Sequence, residues 1–274
     1  MRLTIAMIHD LLDRHDLAPS KALGQNFMVD HNTIDKTVRL ARVGSEDHVV
    51  EIGPGLGALT VALAEAANEV VAVEADQYIL PALGEVLNEA GASNVDVLHA
   101  DATTMEWASQ LDASHKWKLV ANLPYNVATG LVLDILDRVP AITELTFLIQ
   151  KEVGDRMVAP AGSRTYGIPS VRVAYWGAAQ IVAQVPPTVF HPQPRVDSTL
   201  VRIVRHETLP AQSDPKALFG LVRVAFGQRR KMLRKSLKGL VSDQQFAAAE
   251  IDPSERPENL DLMAWDRLTV ATRK

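Results

Sequence analysis

Between His48 and about Glu152 the chain alternates short apolar runs with longer segments whose apolar residues recur every three or four positions. The runs centred on Val49-Val50, Val70-Val71-Ala72-Val73, Val95-Asp96-Val97-Leu98 and Leu119-Val120-Ala121 are short and bounded by Gly, Asn, Asp or Pro. They read as buried strands, and stretches such as Ala58 to Glu65 read as the helices between them. Strand–helix alternation predicts an α/β fold built on a doubly wound parallel sheet. Residues 1–44 read as a helical lead-in. Its apolar positions Leu3, Ile5, Ile8, Leu11 and Leu12 are interrupted by His9, Asp10, Asp13 and Arg14, which suits an amphipathic helix and offers neither a signal peptide nor a membrane span. Beyond the alternating region, Val153 to Gly167 carries Arg156, Pro160, Gly162, Arg164 and Tyr166. It reads either as a long mobile loop with two cations at a substrate entrance or as a plain connector. A helix is expected around Ser170–Trp176, and strands near Gln180–Val185 and Ser198–Val204. Pro210, Ser213, Asp214 and Pro215 then break the pattern. This divides the chain into a large domain, 1–208, and a small helical domain, 209–274.

Polar or glycine features sit at four consecutive strand ends, the edge where open parallel sheets bind ligands. The first is Glu51-Ile52-Gly53-Pro54-Gly55-Leu56-Gly57. Its glycines let the backbone approach a ligand, and the helix behind it offers unpaired N–H groups suited to a carboxylate. The G-x-G-x-G spacing differs from the G-x-G-x-x-G of dinucleotide binders, and Glu51 is placed to meet a cation, so a cationic cofactor is favoured over NAD. Glu74 falls about 20 residues further on, where an acidic side chain grips a ribose diol. Asp101 closes the next strand and is placed to accept from an adenine amino group. The fourth feature, Asn122-Leu123-Pro124-Tyr125, brings an amide, a rigid turn and an aromatic face out of one strand end, a combination suited to a flat, amino-bearing base removed from its stack. Each feature taken singly also has a plain reading: an αβ turn, a solvated strand terminus, or a surface turn made of ordinary turn residues.

A chain of 274 residues with 47% hydrophobic content can bury a sizeable core. It has no cysteine, so disulfides and thiolate metal sites are excluded. The histidines are scattered, giving no metal site, and neither a Gly-x-Ser-x-Gly elbow nor a Walker lysine loop is present. The net charge of −5 hides a strong asymmetry. Lys216, Arg223, Arg229, Arg230, Lys231, Arg234, Lys235 and Lys238 occur without an intervening acidic residue. Leu221, Val224, Leu233, Leu237 and Leu240 interleave with them at near-helical spacing, which predicts a helix with an apolar face for packing and a basic face for phosphates. A merely solvated basic helix is the alternative.

Several long motifs in order resemble the bacterial 16S rRNA adenine dimethyltransferases. They are Lys21-Ala22-Leu23-Gly24-Gln25-Asn26-Phe27-Met28-Val29-Asp30, Val50 to Gly57, Asn122-Leu123-Pro124-Tyr125, Gln150-Lys151-Glu152-Val153, Phe190-His191-Pro192-Gln193-Pro194-Arg195-Val196-Asp197-Ser198, and Ala225-Phe226-Gly227-Gln228-Arg229-Arg230-Lys231. The similarity covers nearly the whole chain. Met28 departs from it, since the family more often carries Leu there. The resemblance implies a Rossmann-like class I methyltransferase with a seven-stranded sheet and a small helical C-terminal domain. The cofactor it implies is S-adenosylmethionine. Gly53 and Gly55 would lie under the methionine portion, Glu74 at the ribose and Asp101 at the adenine, with Asn26, Met28 and Asn122 completing the pocket. Asn122 and the Leu123 carbonyl would accept from the target amine, Pro124 would fix the turn, and Tyr125 and Phe190 would hold the base between aromatic faces. Arg223, Arg229, Arg230, Lys231, Arg234 and Lys235 would dock RNA. The implied partner is 16S rRNA in the small ribosomal subunit or its precursor, methylated by a cytoplasmic, monomeric enzyme with no membrane association. Two rivals stand beside that expectation: the same chemistry on another RNA or DNA, and an assembly factor whose binding matters more than its catalysis.

Overall fold

The computed structural model describes residues 2–20 and 23–273. Lys21 and Ala22, which open the first family-like motif, lie outside them. Contacts divide the chain into two compact units, Met1–Gly154 with Gln180–Val204 and Asp155–Ala179 with Arg205–Lys274.

The larger unit begins with α1 (Ile5–Arg14), the short β1 (Phe27–Met28) and α2 (His31–Leu40). Side-chain oxygens cap both helices: Thr4 accepts from the Met7 amide at 3.3 Å and Asp30 from the Thr33 amide at 2.8 Å. Next come β2 (His48–Ile52), α3 (Ala58–Ala66), β3 (Glu69–Glu74), α4 (Leu80–Ala90), β4 (Val95–His99), β5 (Trp117–Asn122), α5 (Ala128–Arg138) and β6 (Ile142–Gln150). The chain continues through α6 (Lys151–Met157) and α7 (Ile168–Trp176) to β7 (Gly177–Val185), β8 (Phe190–His191) and β9 (Ser198–Arg205). The main sheet has seven strands in the order β4-β3-β2-β5-β6-β9-β7, while β1 and β8 form a separate antiparallel ribbon. The strands β4, β3, β2, β5 and β6 run parallel, and β9 is antiparallel to β6. Strand order reverses between β2 and β5, so the switch point of the sheet lies there. Their pairing ends at Val50 and Leu119, which leaves a crevice beyond Glu51-Ile52 on one side and Val120-Ala121-Asn122 on the other. Three of the apolar runs predicted as strands are buried on both faces, with Val49, Val50, Val70, Ala72, Leu119, Val120 and Ala121 all inaccessible to solvent, while the run in β4 lies at the sheet edge and is only partly covered.

The smaller unit is helical, with α8 (Pro215–Gly227), α9 (Leu233–Ser236), α10 (Asp243–Ala248) and α11 (Leu262–Thr272). Its core gathers Leu218, Val222, Leu233, Leu237, Phe246, Trp265 and Leu268. Full burial of side chains of this size stabilises the unit by about 1.5–3 kcal/mol each before the entropic cost of ordering.

Three expectations need correcting. Val153–Gly167 is not a mobile loop: it opens inside α6, and its remainder is tied to the helical unit. The Tyr166 hydroxyl donates to the Leu260 carbonyl at 2.7 Å and the Gly162 amide to the Glu258 carbonyl at 2.7 Å. For the same reason the contact partition differs from a single cut at residue 208, because Tyr166, Val171 and Tyr175 pack among Leu218, Phe219 and Val222. Nor is the basic segment one helix. It breaks after Gly227 and resumes at Leu233, behind an extended Met232. Leu221, Leu233 and Leu237 are buried as expected, whereas Val224 and Leu240 face solvent.

Candidate active site

The switch-point crevice opens into a cavity of about 210 Å³. The strand-end features expected from the sequence line it through Glu51, Gly53, Gly55, Glu74, Asp101, Asn122, Leu123, Pro124 and Tyr125, whereas Gly57 does not reach it. Asn26 and Met28 line it too. So does Phe27, which sequence reading passed over. A two-residue strand has no periodicity to reveal its facing, and the only signal was the apolar pair beside Asn26. The Phe27 ring covers the glycine loop closely enough that a Cβ on Gly55 would meet it at 3.1 Å, and Gly55 has φ +57°. At the next glycine, Gly57, φ is +87° and a Cβ would meet Leu83 Cδ1 at 2.9 Å, so the loop packs directly onto α4. The loop leads straight into α3, whose first amides point back toward the crevice.

Two glutamates stand in this cavity in different states. Glu74 is buried, yet its two oxygens accept from the amides of Gly55 at 3.0 Å and Asp76 at 2.9 Å. Burial raises its pKa, and those backbone donors act against the rise. Glu51 is 1% exposed, and its Oε2 has no hydrogen-bond partner among the described residues. Burial pushes its pKa from 4.5 up to about 8, the nearby Thr60 hydroxyl opposes this without a well-aligned bond, and the charge of Glu74 adds to it. An orphaned, buried carboxyl on a cavity wall is costly unless a ligand completes it. Asp101, at the exposed end of the cavity, binds the amide and hydroxyl of Thr103 through Oδ1 at 2.8 and 2.7 Å.

On the β5 side, the Asn122 side-chain amide donates to the Asn26 carbonyl at 2.9 Å. This fixes the amide orientation, and no donor among the described residues bonds Oδ1. The Leu123 amide donates to the Leu148 carbonyl at 3.2 Å, and no backbone donor among the described residues reaches the Leu123 carbonyl. Two acceptors therefore emerge side by side from one strand end. The half-buried Tyr125 follows them, its hydroxyl 2.6 Å from Ser198 Oγ. Burial raises the Tyr125 pKa, and the Ser198 contact opposes the shift. Phe190 is placed differently. It is 2% exposed, pairs with Met28 across the β1–β8 ribbon and packs in the core with Leu148 and Leu200, away from the cavity lining.

The basic residues belong to the helical unit. Arg223, Arg230, Lys231, Arg234 and Lys235 are exposed. Arg229 is half-buried: its Nε donates to Glu258 at 2.6 Å and its guanidinium also binds the Arg164 carbonyl at 2.7 Å. It holds Arg164 and Glu258 to the end of α8. Among the described residues no group of three or more His, Asp or Glu is arranged to hold a metal ion, and no helix is long and apolar enough to cross a membrane.

Comparison with known proteins gives this geometry its relatives. The model of the ribosomal RNA adenine dimethylase family matches residues 18–268. The ribosomal RNA small subunit methyltransferase A of Kineococcus radiotolerans is 44% identical over 271 residues, covering 96% of this chain and 89% of that protein. Its counterpart in Leifsonia xyli is 41% identical over 274 residues, covering 97% of this chain and 96% of that one. Among solved structures, a dimethyladenosine transferase from Plasmodium falciparum superposes with a TM-score of 0.74 at 22% identity, over 88% of this chain and 95% of that one. The 23S rRNA methyltransferase ErmE superposes with a TM-score of 0.71 at 24% identity, over 91% of this chain and 100% of its own. Those two likenesses establish the Rossmann-like fold, and the family match with the 41–44% identities establishes the lineage. The chain belongs to the ribosomal RNA adenine dimethylase family.

Proposed function

We propose that this chain uses S-adenosylmethionine to dimethylate N6 of two adjacent adenines in a hairpin loop near the 3′ end of 16S rRNA, within the small ribosomal subunit or its precursor. The observation that carries the reading is the pair of unoccupied acceptors, Asn122 Oδ1 and the Leu123 carbonyl, beside Tyr125 at the mouth of a cavity walled by Glu51 and Glu74. The names of the 41–44% identical relatives support the small-subunit target.

The cavity residues fit the cofactor. Glu51, buried and without a partner, suits an α-ammonium, and the Gly53–Gly57 loop with the start of α3 suits a carboxylate. Glu74 presents remaining lone pairs to a ribose diol, and Asp101 presents Oδ2 to an adenine amine. When bound, the sulfonium of the cofactor supplies an already activated methyl group. The protein's task is then placement. The adenine amine is a poor nucleophile because its lone pair is delocalised into the ring. In the first transfer Asn122 and Leu123, each accepting one N–H, hold the nitrogen in line and favour a more tetrahedral geometry; in the second the monomethylated amine has one N–H left and keeps one of these bonds. Tyr125 supplies a stacking face for the base, and loop nucleotides cost less to splay out than paired ones. The alkylated nitrogen is acidic and releases its proton to water, so a strong general base is not required. Arg223, Arg230, Lys231, Arg234 and Lys235 offer phosphate contacts on the helical unit.

The test is incubation with labelled S-adenosylmethionine and under-methylated small subunits, beside large subunits and DNA, with the product nucleoside identified by mass spectrometry. Dimethyladenosine from small subunits alone is expected. Methyladenosine from another substrate would overturn the target, and tight subunit binding without transfer would favour an assembly role.

A further inference from the structure

Ser198 is the first residue of β9 and is inaccessible to solvent. It pairs in register with Gln150 at the end of β6, so its backbone is fixed by the sheet. The following residue adds an anchor: the Thr199 hydroxyl donates to the Ala183 carbonyl at 3.0 Å. From this rigid base Ser198 Oγ reaches 2.6 Å to the Tyr125 hydroxyl, across 73 residues of chain. Ser198 Oγ has no other partner among the described residues, so the contact is not part of a larger network.

Among the described residues, the other hydrogen bonds around Tyr125 are made by the backbone. Pro124 restricts the residue before it, and the amides of Val127 and Ala128 return to the Pro124 carbonyl at 3.3 and 3.1 Å to start α5. Those restraints fix the Cα of Tyr125 but leave its side-chain torsions free. Tethering the far end of the ring limits that freedom. The hydroxyl oxygen lies on the axis about which the ring turns, so the 2.6 Å bond fixes where that axis points, and the preference of a phenolic O–H for the ring plane then favours one plane. The plane of Tyr125 sets the plane of any base stacked on it, and hence the direction of the exocyclic amine relative to Asn122 Oδ1.

Resting on the function proposed above, we propose that Ser198 is a positioning residue for methyl transfer: through its bond to the Tyr125 hydroxyl it fixes the stacking face that orients the target adenine. Ser198 does not itself touch the base. Its effect falls on the bound complex, leaving cofactor affinity unchanged, because the Glu51 and Glu74 walls are built without it.

The experiment compares Ser198→Ala, Ser198→Thr, Tyr125→Phe and the Ser198→Ala/Tyr125→Phe double variant in the full chain. It measures kcat, KM for subunits, cofactor Kd and thermal midpoint. It also measures fluorescence of an RNA hairpin carrying 2-aminopurine at the target position, which stacking on a tyrosine quenches. Ser198→Ala and Tyr125→Phe are each expected to lower kcat about ten-fold, since sub-ångström misplacement of a reacting group is expensive. The double variant should be no worse than either single one, cofactor Kd should not move, Ser198→Thr should restore kcat, and Ser198→Ala should lose quenching. Wild-type kcat and quenching in Ser198→Ala, or losses that multiply in the double variant, would overturn the proposal. A drop in thermal midpoint alone would reduce Ser198 to a structural role. Were the wild-type chain to make no dimethyladenosine, the function would fall, and the quenching comparison would still decide the part played by Ser198.

Discussion

Glu51 offers the sharpest test of the cofactor reading, because its state in the free protein is so different from the one a ligand would need. Its pKa stands at about 8 in the free protein, so near neutrality it is mostly protonated. An ammonium placed against Oε2 would favour the carboxylate, so binding must expel the carboxyl proton. Below the free-state pKa, affinity for a ligand with an α-ammonium should then rise about ten-fold per pH unit, which is about 30-fold between pH 5.5 and 7.0, or ~2 kcal/mol. The rise ends near pH 8, where Glu51 is already half ionised and the ligand's own amine begins to lose its charge. Titration calorimetry with S-adenosylhomocysteine, which keeps the amino-acid end but lacks the sulfonium, would measure the slope. Buffers of different ionisation heat would count the released proton. In Glu51→Gln the slope and the proton release should both vanish. A flat wild-type profile between pH 5.5 and 7.0, or an unchanged slope in Glu51→Gln, would refute the assignment. The same carboxyl shapes stability without ligand. Its folded pKa of about 8 exceeds the unfolded 4.5, so the folded state binds the extra proton between those values and stability falls as pH rises from 4.5 to 8. The upper bound of that loss is about 5 kcal/mol, and Glu51→Gln should flatten the thermal midpoint across the same window.

Glu74→Ala removes the acceptor of the Gly55 and Asp76 amides, so cofactor binding should be lost in calorimetry while RNA retention on filters persists. Loss of RNA binding as well would mean that the substitution acts on the fold. Gly57→Ala forces a side chain onto φ +87° and against Leu83 Cδ1 at 2.9 Å, and should cost about 1–3 kcal/mol in denaturant unfolding; a neutral result would show the glycine loop to be adjustable. Arg234→Ala or Lys235→Ala should lower by ~1 the slope of log affinity for RNA against log salt, whereas Arg229→Ala, which breaks the Glu258 pair, should lower the melting point of the helical unit. Equal salt slopes for all three would argue that Arg229 also reaches phosphate. Asp266 is buried, but its bonds from Ser213 and Gln212 outweigh burial and hold its pKa below 3.8. The stability it contributes is present above 3.8 and lost as pH falls through its lower folded value. Asp266→Asn should therefore destabilise at neutral pH by about 1–3 kcal/mol and blunt acid unfolding; an acid limb as steep as the wild type would contradict this.

What the sequence disclosed, and what it hid, follows from the range of the forces involved. Four of the parallel strands were legible as short apolar runs, three of them because burial on both faces makes those runs nearly continuous, and the strand-end residues were legible because their places follow from those runs. Partners far apart in sequence were not. Val153–Gly167 looked mobile because its polar and glycine content says nothing of the carbonyls of Glu258 and Leu260 that anchor it, some ninety residues away. Arg229 looked like its cationic neighbours because charge pattern cannot show that Glu258 reaches it from the far end of the unit. Phe190 was expected as a second stacking face through the resemblance alone. The β1–β8 register pairs it with the cavity-lining Met28 and it packs with Leu148 and Leu200 in the core, while Phe27 on the facing strand lies beside the glycine loop, a placement that short pairing sets and no local pattern shows.

The two cavity glutamates illustrate how environment separates identical side chains. Both are buried, and burial raises both pKa values. Glu74 has a backbone amide on each oxygen, so its charge is partly met before any ligand arrives, and it suits hydroxyl donors that carry no charge. Glu51 has none of this support at Oε2, so it remains protonated until a cation supplies what the protein withholds. A neutral ligand of the same shape would leave Glu51 protonated and gain little from it, while a cationic one gains the full charge-assisted bond. If the proposed cofactor is the ligand, the selectivity of the cavity for its cationic amino-acid end would be held in the hydrogen bonds that Glu51 lacks.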